Sequence, residues 1–259
     1  MSTVPDLWAL CGGSEAVAPL VVRRAVRVVE SQRQVATLTL TGNVAEQQVL
    51  EELLEATKPP LPPEAAGRHY LIATPFRYPP LRHGSRFGRR HQRGLFYCAR
   101  QLLTALAETA YYRFRFWHDM EIPPPGGRLM SEHTSFEITV NTPRGVRLEA
   151  GCFAAHRDLI AHPGDYRATQ ALGDDLREAG VQASSYPSAR RRGGINVVAF
   201  TPAAISAGPR RFATWTCRTD ESAVEFLRTT DVPRAHRFEL QEFLVDGALP
   251  RPGAAGTLL

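Results

Sequence analysis

The chain has 259 residues, 43% of them apolar and 22% charged, a balance that supports a packed core and excludes global disorder. Its formal charge is +5, almost all of the positive charge being arginine, so the surface favours anions: nucleic acid, headgroups or a phosphorylated small molecule. Cys11, Cys98, Cys152 and Cys217 are widely spaced, which argues against a disulfide scaffold and against a zinc site legible from spacing.

Residues 1–22 lack the basic start of a signal peptide, and no run approaches the roughly 18 apolar residues that span a bilayer. The chain reads as cytoplasmic, with no membrane partner. Residues 21–57 carry helical signals, clearest where Val49, Leu50, Leu53 and Leu54 interleave with Glu51, Glu52 and Glu55. Pro59, Pro60, Pro62 and Pro63 then end the helix. Residues 1–66 are therefore expected to form a helical N-terminal extension, with residues 67–259 as the main domain. His69 to Thr74 reads as a strand cut off by Pro75, followed by a basic, glycine-punctuated loop from Phe76 to Arg93. Leu95 to Ala99 is a second strand. Gln101 to Trp117 is a helix, with Leu103, Leu106, Ala107, Ala110, Phe114 and Trp117 on one face. Phe136, Ile138 and Val140 alternate with polar residues as in a half-buried strand, and Pro143 to Gly145 turns into another over Val146 to Glu149. Asp165 to Ala179 is helical. Gln182–Tyr186 and Ile195–Phe200 pair around an Arg191–Gly194 turn. Phe212–Cys217 and His236–Leu240 complete an α+β domain.

No GxxxxGK[ST], GxGxxG, GxSxG or HExxH motif occurs, which removes the usual signatures of P-loop, Rossmann, α/β-hydrolase and zincin enzymes. Lys58 is the one lysine and lies in the proline-rich connector, a poor place for Schiff-base chemistry. What remains is arginine, tyrosine and a carboxylate. Arg77 and Arg86 flank a short loop, where planar guanidinium groups suit a pyrophosphate. Gly84 and Gly88 permit close backbone approach. Tyr97 ends a strand with an aromatic face. Glu108, on the helix with Thr104, Tyr111 and Arg115, sits at the edge of the apolar stripe, where it can bind a ribose hydroxyl or stabilise positive charge. Each has an ordinary alternative: a Glu108–Arg115 salt bridge, a core tyrosine, surface arginines.

The stretches PFRYPP (75–80), GSRFG (84–88), GLFYCA (94–99) and TALAE (104–108) occur in that order. With the looser DYRATQ (165–170), YPSAR (186–190) and GGIN (193–196), they resemble the RES domain family over residues 68–205. The resemblance implies an ADP-ribosyltransferase-like fold, with a mixed or antiparallel sheet flanked by helices. It also implies a toxin that consumes NAD by phosphorolysis or hydrolysis, or that transfers ADP-ribose to a protein. By that resemblance Arg77 and Arg86 hold the NAD phosphates, Tyr97 packs at the nicotinamide-ribose end, and Glu108, with Arg86 and Tyr97, makes up the catalytic set. Ser188 hydrogen-bonds the substrate. NAD is substrate, inorganic phosphate a possible co-substrate, and neither a metal nor a prosthetic group is implied. The implied protein partner is a helix-turn-helix antitoxin encoded in the same operon, which would provide the only link to nucleic acid. Gly84-Ser-Arg-Phe stands where many members carry Gly-Gly-Arg-Trp, which leaves the adenine side undefined. A rival reading is a nucleic-acid-binding module using Arg82, Arg86, Arg89, Arg90 and Arg93, with Phe87 for stacking.

Overall fold

The computed structural model describes residues 4–31, 40–80, 82–228 and 233–253. Their α+β architecture is one eight-stranded sheet in the order β1-β2-β5-β4-β3-β6-β7-β8, with an additional β1–β3 pairing. The strands are β1 (Ala18–Glu30), β2 (Phe96–Ala99), β3 (Leu129–Arg147), β4 (Ala183–Pro187), β5 (Ile195–Ala199), β6 (Ile205–Thr219), β7 (Ala223–Arg228) and β8 (Arg234–Glu239). β3 and β4 run parallel, whereas the other registered pairs are antiparallel. The helices are α1 (Leu7–Leu10), α2 (Val44–Thr57), α3 (Tyr70–Arg77), α4 (Leu102–His118), α5 (Arg157–Ile160) and α6 (Arg167–Glu178). No described helix is long and apolar enough to cross a membrane.

The helical reading of residues 21–57 holds for α2 and fails for β1. Five valines between Val21 and Val29 stiffen an extended backbone, and Leu20, Val22 and Ala25 are buried beneath it. Irregularities at Ala18/Leu20 and Val22/Ala25 break the alternation that marks a strand. Residues 32–39, within the same expected helix, lie outside the described residues.

The expected strand at His69–Thr74 is instead part of α3. The His69 ring nitrogen accepts from the Leu71 amide at 3.2 Å, and Ile72, Ala73 and Phe76 bury one helical face. The segment 143–145 does not turn, because β3 runs through it. Pro143, with no N–H to give, falls opposite the irregularity between Ala18 and Leu20. β7 is a strand the sequence reading lacked.

Among the described residues, three large apolar clusters and a small one around Val26, Ala99 and Ala105 organise the interior. Phe96, Phe136, Ile138, Val140 and Val197 gather with Ile72 and Phe76 of α3. Phe87, Leu95, Leu172, Leu176 and Tyr186 pack beneath α6. Leu106, Ala110 and Phe114 of α4 meet Trp215, Phe226 and Phe243. The structure also joins Cys11 to Cys152 as a disulfide and brings His156 beside the pair, a proximity invisible at a sequence separation of 141. Cys98 and Cys217 are free and buried.

Candidate functional site

The loop before β2 is shaped by close packing rather than by regular structure. Gly84 has φ +77°, and a Cβ there would stand 2.5 Å from the Gly88 carbonyl oxygen and 2.6 Å from Gln170 Nε2, so only glycine fits. From α6, Gln170 Nε2 donates to the carbonyls of His83 at 3.0 Å and Ser85 at 3.2 Å. Phe87 plugs the core beneath the loop, fully buried. Between these anchors Arg86 is turned inward. Its Nη1 donates to the carbonyls of Ile160 and His162, each at 3.0 Å, and the guanidinium lies 4.6 Å from the Tyr166 ring centre. Burial works against its charge, but Tyr166, Tyr186 and Glu108 outweigh it and hold the group firmly protonated.

Tyr97 rises from β2 toward the same loop. Its hydroxyl donates to Ser85 Oγ at 2.9 Å and accepts from the Phe87 amide at 3.2 Å. Burial raises the phenol above its ordinary value, against those two hydrogen bonds.

Glu108, half-buried on α4, does not pair with Arg115, which engages Asp119 instead. Its Oε1 accepts from Ser188 Oγ and from Asn196 Nδ2, both at 2.6 Å. Ser188 is buried just after β4, where its Oγ accepts from the amides of Arg190 at 3.1 Å and Arg191 at 3.2 Å. With its lone pairs thus occupied, the hydroxyl proton is left for the carboxylate. Oε2 takes no hydrogen bond among the described residues, so Glu108 is an oriented carboxylate with one free oxygen. Arg190 closes the far side, lying 3.3 Å from the Tyr111 ring centre.

The structure thus brings Arg86, Tyr97, Glu108 and Ser188 into one cluster, linked electrostatically through Tyr186 and Tyr166. It does not bring Arg77 there. At the end of α3, Arg77 binds Glu55 Oε1 of α2 and the Pro59 carbonyl, each at 2.5 Å. Asn196, Tyr166 and Tyr186 were present in the quoted motifs without a role; their position beside Glu108 and Arg86 depends on strand pairing. Asn196 stands opposite Tyr186 and Ala99.

A groove of about 880 Å³ opens beside the cluster, lined among others by Tyr97, Ser85, Tyr112, Thr74, Tyr78 and Arg27. Polar atoms and aromatic faces together suit a nucleotide. Of the loop residues in the nucleic-acid reading, Arg86 and Phe87 are buried, Arg89 binds Asp174 at 2.6 Å, Arg93 stands 3.6 Å from Glu64, and Arg82 and Arg90 are exposed.

No curated protein matches the chain. Among solved structures it is similar to a chain of the M. tuberculosis MbcT–MbcA toxin–antitoxin complex, with a TM-score of 0.47 and 10% identity, over 82% of this chain and 93% of that one. The sequence model of one family, described as the RES domain, matches residues 61–220, from before α3 to the end of β6 and through every part of the Glu108 cluster. That match covers more than half of the protein, and the chain belongs to the RES domain family.

Proposed function

We propose that this protein cleaves the bond between nicotinamide and ribose in NAD and acts as the toxin of a toxin–antitoxin pair. The observation that carries the chemistry is the Glu108 carboxylate, with Oε1 fixed by Ser188 and Asn196 and Oε2 free. A fixed carboxylate needs no reorganisation as positive charge develops at the anomeric carbon, which is where electrostatic catalysis is most effective.

In this reading Arg86 faces the phosphates and Tyr97 the nicotinamide ribose. Oε2 of Glu108 accepts a ribose hydroxyl and stabilises the oxocarbenium-like state. The C1–N bond breaks with its electron pair passing to the pyridinium nitrogen, so nicotinamide leaves neutral. An oxygen of water or inorganic phosphate then bonds to C1, giving ADP-ribose and a proton in the first case and a phosphorylated ADP-ribose in the second. Tight orientation supplies the remaining acceleration. In this reading Ser188 acts through Glu108, a role supported by its hydroxyl being given to the carboxylate. Family membership supports the toxin role in the cytoplasm and a helix-turn-helix antitoxin from the same operon as partner.

The test is incubation of purified protein with NAD, with and without phosphate, with products resolved by mass. Free nicotinamide with ADP-ribose or its phosphorylated form is expected. Glu108→Gln should lower kcat by about 100-fold or more; undiminished turnover would overturn the role of Glu108, and label transferred to added protein would replace cleavage by ADP-ribosylation.

A further inference from the structure

One wall of the groove comes from outside residues 61–220. β1 and β2 are registered at the single couple Val26–Ala99, whereas β1 continues along β3 from Arg27 opposite Phe136 to Glu30 opposite His133. The groove occupies the split beyond that couple, and Arg27 is the first residue past it.

Arg27 has little to satisfy it. Its guanidinium lies 4.6 Å from the Phe96 ring centre, and Nη1 donates to the Tyr97 carbonyl at 3.1 Å. No carboxylate among the described residues pairs with it. Glu30, on the same wall, is engaged by Arg113 at 3.2 Å. Burial, opposed only by the Cys98 thiol, lowers the guanidinium to about 10. The side chain is half-buried at the groove wall, and a planar fork with unused donors is matched by phosphate oxygens. Arg77, by contrast, has both a carboxylate and a carbonyl and does not line the groove.

We infer that Arg27, from a strand outside the family-matched segment, is a second cation, besides Arg86, that binds the pyrophosphate of a dinucleotide in this groove. The inference rests on reading the groove as the NAD site, and it adds a specificity residue to that site. Arg27 anchors the phosphates where β1 parts from β2, beside the Tyr97 carbonyl. The backbone carbonyl of Tyr97 orients the guanidinium while its phenol faces Ser85.

The experiment uses the full chain and the variants Arg27→Gln and Arg27→Lys. Arg24→Gln serves as control, since Arg24 is a largely exposed cation on the same strand paired with Glu137. Binding of inorganic pyrophosphate and of ADP-ribose is measured by calorimetry, and NAD turnover in parallel. Arg27→Gln should weaken both ligands and raise KM for NAD by about tenfold or more, with kcat within about threefold and the control unchanged. If thermal melting shows that Arg27→Gln does not fold, Arg27→Lys, which keeps the charge and loses the fork, should still weaken binding by about threefold or more. Wild-type Kd and KM in a folded Arg27 variant would overturn the inference while leaving NAD cleavage standing. Arg27-dependent pyrophosphate binding in a protein that leaves NAD intact would do the reverse. Wild-type protein that binds neither ligand and leaves NAD intact would overturn both.

Discussion

At the scale of single residues, the partners of Glu108 make separable demands. Asn196→Asp would set a second carboxylate against the first at the 2.6 Å now spanned by an amide hydrogen bond. Two carboxylates so close share a proton near neutrality. NAD turnover at pH 7 should fall by about 100-fold and recover as pH rises, whereas Asn196→Ala should lower it by about tenfold at every pH. A wild-type profile in Asn196→Asp would show that the ionised form of Glu108 is not required. His133, buried on β3, tests stability instead. Burial, and then the charge of Arg113, push its imidazole down to about 4. Unfolded, it titrates near 6.5, so between those values the unfolded chain binds a proton that the folded one refuses. Stability therefore falls as pH drops through that window, by about 3 kcal/mol when complete. His133→Gln should flatten the fall in melting temperature between pH 6.5 and 4; an unchanged slope would place the acid sensitivity elsewhere.

Among elements, the seating of α6 on the loop that carries Arg86 leaves no room for a side chain. A Cβ on Gly173 would stand 2.2 Å from the carbonyl oxygen of Phe87, backbone that cannot rotate away. Gly173→Ala should cost about 1–3 kcal/mol or more through overpacking and displace Arg86 and Ser85 together. Both melting temperature and NAD turnover should drop, and a variant with wild-type values of each would mean that the loop is not held by α6. Elements of this kind were legible where the pattern was local. The stripe of Leu106, Ala110 and Phe114 announced α4, and the Arg191–Gly194 turn announced β4 with β5. β1 was not, since two irregularities hide its alternation beside a strongly helical stretch. α3 was not, because a short apolar run reads equally as strand or helix. The site followed the same division. Arg86 between glycines and Glu108 at a helix edge stood out as residues, while the hydrogen bonds that orient Glu108 come from 80 and 88 positions away. Arg27 carried no motif at all; its chemistry arises from the place where β1 leaves β2.

For the whole molecule, β1 is what closes the sheet, pairing with β3 at ten registered positions and with β2 at one. The disulfide from Cys11 to Cys152 ties the segment before it to the loop after β3. Yet β1 lies outside the stretch that identifies the family, residues 61–220. A fragment beginning at residue 61 would keep every recognisable motif and lose Leu20, Val22 and Ala25 from the core. It would also leave β3 with an open row of amides and carbonyls along one side, a template for pairing with other chains. Such a fragment should elute as aggregate in size-exclusion chromatography; a monomer with a cooperative melt would refute this. The unit that inheritance has marked in this chain is thus smaller than the unit that folds.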